Sequence, residues 1–211
     1  LAEGVGRKQI KELRPLQILD AAFAEFTDKG YAAARLEDVA RRVGVTKGTI
    51  YIYFPTKADL FVAVARAHLQ PILDRQIEID PATLGDVSAS ELLRRYTALA
   101  YADVTGEPRS REFFRLMIAE GSRVPEIVEF YVTEVMKYGV DQLRGLLDYG
   151  VRRGEFRKEA VEKLYAHPDM IFGPGVLACI MQMLMGDRHG IDFERWIDAH
   201  LDLVLNGLRV R

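Results

Sequence analysis

Residues 36–57, LEDVARRVGVTKGTIYIYFPTK, leave the chain few choices of local fold. Leu36, Val39, Ala40 and Val43 stand at i, i+3, i+4 and i+7, the apolar stripe of a short helix. Gly44 follows directly, and glycine accepts a positive φ without a Cβ clash, so the chain can reverse there. Thr46 is placed to cap a second helix by accepting a backbone N–H. Ile50 and Phe54 give that helix its apolar stripe, with Ile50 facing back toward the small Ala40. This spacing is the packing of a helix-turn-helix, although an ordinary helical hairpin can share it.

The second helix, from about Thr46 to Tyr53, separates the two readings. Its expected outward residues are Thr46, Lys47, Gly48, Thr49, Tyr51 and Tyr53. A glycine inside a helix costs about 1 kcal/mol. A packing helix gains nothing for that cost, whereas a helix that must approach a phosphate backbone closely does. Lys47 can neutralise phosphate or reach guanine, and threonine can meet a base edge or a thymine methyl. Tyrosine hydroxyls suit phosphate oxygens. Pro55 ends the helix, and Thr56 with Asp59 forms a near capping box that restarts helix at Lys57. Lys57 at a helix N-terminus opposes the dipole unless a phosphate lies nearby.

The chain resembles the TetR family of bacterial transcriptional regulators from about Pro15 to Phe61, through ILDAAFAEFTDKGY and LEDVARRVGVTKGTIYIYFPTKADLF. The resemblance implies DNA-contact roles for Thr46, Lys47, Gly48, Thr49, Tyr51, Tyr53 and Lys57. Two places depart from the family pattern. Ala34 and Arg35 stand where a Thr or Ser is usual before the second helix; Ala34 cannot cap, and Arg35 offers a phosphate or base contact instead. Ile52 stands where a polar residue or histidine is common. Both changes bear on operator preference rather than on DNA binding itself.

Charge is consistent with a local DNA-reading head but does not carry the inference. The net charge is −2, so the molecule is not basic throughout. Residues 1–60 hold 10 Lys+Arg against 8 Asp+Glu, a small local excess. Arg7, Lys8, Lys11 and Arg14 form a loose basic arm able to follow phosphates or a minor groove. The single Cys179 excludes an internal disulfide and a cysteine-rich zinc site, and fits a reducing cytoplasm. Residues 1–15 are polar and basic, unlike a signal segment. The longest apolar run, 170–186, is short for a membrane span and is broken by Gly173, Pro174, Gly175 and Gln182.

The expected fold is all-α. Residues 1–60 form a three-helix DNA-binding domain with its basic arm, and 61–211 form a helical bundle for ligand binding and dimerisation. Helices are expected over about 15–29, from Lys57 toward Ile79, and over 90–105, 111–120, 126–153 and 193–208. A loop is expected at 79–86, and a helix broken around 166–175 resumes through Met185.

Leu177, Ile180, Met181, Leu184, Trp196, Ile197, Leu201, Val204 and Leu208 exceed what one amphipathic face needs, which points to a homodimer interface. A dimer also lets two heads meet the half-sites of a palindromic double-stranded operator. Phe113, Phe114, Met117, Tyr131, Tyr138, Met170, Phe172 and Met183 are large, soft side chains on mid-bundle helices. With the resemblance, they are the candidate lining for a small apolar or aromatic effector of unknown identity. His68, His167, His189 and His200 are scattered, so neither a metal nor another cofactor is expected. No phosphate-cradling glycine loop or Gly-x-Ser-x-Gly is present, so an enzyme is the weakest reading. The expectation is a repressor released from its operator by a small molecule. The alternative is a helix-turn-helix protein without small-molecule input, controlled by a partner or acting architecturally.

Overall fold

Among the described residues the apolar periodicity produces helices. The computed structural model describes residues 2–74, 86–105, 108–190 and 192–210, with the side chains of 2–13, 71–73, 103–105, 108–110, 187 and 189 left out. In order the helices are α1 (Ala2–Ala33), α2 (Leu36–Val43), α3 (Lys47–Tyr53), α4 (Lys57–Leu73), α5 (Ala89–Thr105), α6 (Pro108–Glu120) and α7 (Pro125–Phe130). A π-helical turn, Tyr131–Met136, leads into α8 (Lys137–Arg152), followed by α9 (Lys158–Ala166), α10 (Asp169–Met185) and α11 (Phe193–Leu208). Among the described residues, pairing of extended backbone is confined to an isolated bridge between Phe156 and Arg209. The loop expected at 79–86 lies outside the described residues except for Asp86.

Three expectations about local structure change. Residues 2–14, expected as an arm, are helical and continue through Pro15, while the side chains of Arg7, Lys8 and Lys11 lie outside the described residues. The break expected near residue 29 is a single point, Gly30, with φ 75° and ψ 163°. The break expected over 166–175 is confined to His167 and Pro168, between α9 and α10, and α10 runs through Pro174. Proline removes one backbone donor from a helix, and Tyr101 reinforces the adjoining turn. Its hydroxyl donates to the Ile171 carbonyl at 2.6 Å and is also hydrogen-bonded by the Gly175 backbone N–H. Burial pushes this phenol up to about 12, so it remains a donor at neutral pH. The ring lies against Gly175 so closely that a Cβ there would fall 2.6 Å from Cδ1.

Packing groups the chain differently from a cut at residue 60. One compact unit comprises Leu1–Pro71 with Glu112–Thr133, and the other comprises Ile72–Arg111 with Glu134–Arg211. In the first unit, Ile18, Ala22 and Phe26 of α1 meet Val39 and Ala40 of α2, Ile50 of α3, and Leu60, Phe61 and Val64 of α4. Leu116, Val124 and Ile127 belong to the same core. Rings step across the unit in sequence: Phe23 on His68 at 5.4 Å, His68 on Phe113 at 5.3 Å, and Phe114 on Tyr131 at 6.3 Å. Arg115 also donates to the Thr27 carbonyl at 3.0 Å, fixing α6 to α1.

The second unit has its own core, including Leu92, Leu93, Leu143, Leu146, Leu147, Phe156, Val161, Ile171, Leu205 and Leu208. Phe156 packs on the bare backbone of Gly150, where a Cβ would stand 2.1 Å from its ring. Short backbone bonds hold the Phe156 strap, from Phe156 N to Gly150 O at 3.1 Å and from Arg157 N to Leu208 O at 2.8 Å. The stretch expected as one helix over 126–153 is helical throughout, with the π turn at 131–136 interrupting the α-type bonding.

Candidate nucleic-acid interface

The helix-turn-helix closes as a Schellman turn. Gly44 takes φ 71° and ψ 37°. Its N–H reaches the Arg41 carbonyl at 3.3 Å, and the Val45 N–H reaches that of Ala40 at 3.0 Å. Both carbonyls lie in the last turn of α2, so its orphan acceptors are satisfied and α3 leaves in a fixed direction. Thr46 then caps α3 by accepting from the Thr49 N–H at 3.2 Å. Its hydroxyl also meets the Thr49 hydroxyl at 3.0 Å. At the start of α2, Arg35 occupies the cap position in extended conformation without a side-chain cap, while Glu37 and Asp38 complement the helix dipole.

Ile50 anchors α3 and is fully buried against α1, α2 and α4. At 100° per residue, Gly48 and Ile52 project opposite it. Ile52 is 79% exposed, more than any other large hydrophobic residue described. Lys47, Gly48 and Tyr51 are exposed beside it, and Thr49 is half-buried. A Cβ at Gly48 would meet no neighbouring atom nearer than the Thr46 hydroxyl at 3.8 Å. Internal packing therefore does not require this glycine.

Ion pairs hold this surface. Lys47 meets Glu37 at 2.6 Å and lies over the Tyr51 ring at 5.5 Å. The hydrogen bond to Glu37 raises the Lys47 ammonium above its usual range and lowers the Glu37 carboxyl. Arg35 lowers Glu37 further through its charge. Behind α2, the fully buried carboxylate of Glu25 takes Lys29 at 2.6 Å and Arg42 at 3.1 Å. Asp38 takes Lys29 at 2.8 Å and Arg41 at 2.5 Å. These pairs tie α2 to α1 and so set where α3 stands.

Two expected contact residues are drawn partly inward. Tyr53, at i+3 from Ile50, lies on the buried side and packs against the first core. Lys57 is half-buried; its ammonium donates to the Ala32 carbonyl at 3.2 Å and lies 4.6 Å from the centre of the Tyr31 ring. Burial lowers its pKa below the usual lysine value. The lysine thus stabilises the carbonyl end of α1 rather than projecting freely from the start of α4. Sequence reasoning missed Glu37, whose pairing with a residue ten positions later has no local signal. It also marks Ile52 only as unusual, although the i+4 step from Gly48 places both on the outer line of α3.

The eight expected effector-lining residues divide evenly between the two units. Phe113, Phe114, Met117 and Tyr131 belong to the first unit, with Phe113 and Phe114 buried and Met117 packed on its core. Tyr138, Met170, Phe172 and Met183 belong to the second; Met170 is exposed and Phe172 packs on that unit's core. Of the expected interface residues, Leu177 and Leu184 are exposed, and Ile180, Met181, Trp196 and Ile197 are half-buried. Leu201 and Leu208 are not available: both are buried within the chain, and Val204 packs beside them on the second core. Their side of α11 faces its own unit, so the apolar excess there is internal core. Among the described residues, no group of three His, Cys, Asp or Glu is placed to hold a metal. No single described helix is long and apolar enough to cross a membrane.

Comparison with known proteins agrees with this geometry. Residues 18–64 match the family described as bacterial regulatory proteins, tetR family. Residues 91–163 match the C-terminal domain of AefR-like transcriptional repressors. A fatty acid metabolism regulator protein of Bacillus subtilis is 25% identical over 203 residues, covering 94% of this chain and 98% of that protein. The uncharacterized HTH-type transcriptional regulator TtgW of Pseudomonas putida is 30% identical over 113 residues, covering 54% of this chain and 78% of TtgW. The solved structure of a Bacillus subtilis regulator, FadR, in complex with stearoyl-CoA shares the fold. It has a TM-score of 0.68 at 22% identity, over 91% of this chain and 98% of that one. A helix-turn-helix built on Gly44, Thr46 and Ile50, followed by an all-helical second unit, therefore has a known lineage: this chain is a DNA-binding transcriptional regulator of the TetR family.

Proposed function

We infer that the protein is a homodimeric repressor that reads a palindromic duplex through α3 and leaves it when a small apolar molecule binds. The observation that carries the reading is the outer face of α3, where Gly48 gives clearance that internal packing does not need. In this reading Arg35 and Lys47 neutralise phosphates. Thr46, Thr49 and Tyr51 offer hydroxyls to phosphate oxygens and base edges. Tyr53 and Lys57 complete the contact set at its edge.

Exposed Val176, Leu177, Leu184 and Met185 on α10, with Leu203 on α11, support pairing with a second copy. Pairing places two heads on half-sites a helical turn apart. Phe113, Phe114, Met117 and Tyr131 in the first unit and Tyr138, Met170, Phe172 and Met183 in the second are the candidate effector contacts. The stearoyl-CoA in the Bacillus subtilis structure supports an acyl-chain effector. Helix α4 runs on past Pro71, the last residue of the first unit's N-terminal segment, so an effector that biases its tilt changes the spacing of the heads. A coupling of about 1–3 kcal/mol is enough to alter occupancy. The protein acts by binding rather than by turnover, in the cytoplasm.

The test begins with the duplex that the wild-type chain enriches from a random pool. Lys47→Ala with Tyr51→Ala abolishes specific binding to it, and Lys47→Ala alone lowers the salt slope by about 1. Wild-type binding by the double variant refutes the DNA face. Saturating stearoyl-CoA lowers affinity by about 5–150-fold; unchanged affinity removes that effector class.

A further inference from the structure

Ile52 is the most exposed of the large hydrophobic residues described. It is 79% exposed on a helix whose opposite side is the fully buried Ile50. It is flanked by Lys47 and Tyr51, which are exposed on the same helix. One turn earlier on the same line stands Gly48, with no side chain to keep an approaching surface away. A duplex is polar and charged along its backbone, and its major-groove base edges are hydrogen-bonding groups with one exception. The exception is the methyl group on C5 of a pyrimidine, which apolar side chains contact directly. Lys47 and the hydroxyls of Thr49 and Tyr51 can meet polar groups; the sec-butyl chain of Ile52 is suited to that methyl.

We propose that Ile52 is a specificity-determining residue that reads a 5-methylpyrimidine in the major groove, with Gly48 providing the clearance that brings it into contact. The proposal rests on the assignment of α3 as the DNA face. Its ligand chemistry is one methyl group, supplied either by thymine or by 5-methylcytosine. Contact requires no charge transfer and no bond change. It removes one methyl-sized apolar area from water on each side, so deleting the methyl lowers affinity about fourfold per contact, the equivalent of about 0.8 kcal/mol.

The experiment uses the full chain and the duplex it enriches from a random-sequence pool. Each thymine of one half-site is replaced in turn by deoxyuridine, which removes the methyl and leaves base pairing unchanged. The wild type loses about fourfold in affinity at one such position. Ile52→Ala binds the parent duplex more weakly and is indifferent to that same replacement, whereas Ile52→Val keeps the penalty. Replacing the thymine–adenine pair by cytosine–guanine weakens binding, and 5-methylcytosine at that place restores part of it. If 5-methylcytosine binds better than thymine, the methyl reading stands and methylated DNA is its source. Indifference of the wild type to every uracil, or a penalty that persists in Ile52→Ala, overturns the proposal. An enriched half-site without thymine overturns it as well when cytosine methylation has no effect. Failure of the DNA face itself looks different: no duplex is enriched, or the Lys47→Ala, Tyr51→Ala variant binds normally. Circular dichroism of Ile52→Ala is expected to match the wild type because the side chain supports no internal packing.

Discussion

Replacing Gly44 isolates what the turn between α2 and α3 contributes. The residue sits at φ 71° and ψ 37°, and a Cβ built there meets nothing within 4 Å. Any penalty for Gly44→Ala is therefore backbone strain alone. A left-handed conformation costs an L-residue roughly 1–2 kcal/mol. Against this, alanine reduces the entropy of the unfolded chain, which recovers about 0.4–1 kcal/mol. The net destabilisation is about 0–1.6 kcal/mol, and Gly44→Asn, whose side chain tolerates this region, costs less. Gly44→Val costs more than alanine, because a β-branched residue is the poorest fit there. The single Trp196 lies in the second unit, so its fluorescence does not report directly on the turn. Hydrogen exchange on peptides covering 36–60, with urea denaturation followed by circular dichroism, reads it. The expected order of stability is Gly, Asn, Ala, Val. Equal loss for Asn and Ala contradicts a purely backbone origin, and no loss for Val contradicts the left-handed turn.

Four other outcomes follow from the geometry. Gly150→Ala forces a Cβ to within 2.1 Å of the Phe156 ring, which backbone bonds to Gly150 and Leu208 keep from retreating. It destabilises by about 1–3 kcal/mol, seen as a lowered urea midpoint by Trp196 fluorescence. Gly207→Ala, in open space, is neutral or slightly stabilising in the same assay. Glu37→Gln removes a carboxylate beside the DNA face and frees Lys47 from its 2.6 Å partner, so affinity for random-sequence duplex rises at low salt; unchanged affinity refutes that role. Asp38 has its pKa lowered, first by the hydrogen bond from Lys29. Its contribution is full above the ordinary aspartate range and is lost as pH falls through the lowered folded value. Acid titration of head stability by hydrogen exchange therefore shows a decline that Asp38→Asn flattens.

What the sequence makes legible is local. Gly44, Thr46 and Ile50 each act within a few residues, so their spacing alone places the turn, the cap and the buried anchor of α3. The periodicity of 193–208 likewise locates α11 without outside help. Tyr53 is misplaced when polarity is weighed ahead of its i+3 step from Ile50. Lys57 reads as needing a phosphate because its actual acceptor, the carbonyl of Ala32, lies twenty-five residues back. The helix through Pro174 is hidden for the same reason: the hydroxyl beside it comes from Tyr101. The burial of Phe113 and Phe114 is a tertiary fact that composition does not give. Leu201 and Leu208 illustrate a further limit, since hydrophobicity cannot say whether a neighbour belongs to the same chain.

Because Leu116, Val124 and Ile127 complete the first core, the DNA-reading module is discontinuous along the gene. Truncation after Pro71 would not liberate a minimal reading head; it would leave a greasy scar where 112–133 had been. Chimaeras that transplant this head onto a foreign sensor must carry that second segment too, or inherit a fragment prone to clumping before it ever meets DNA.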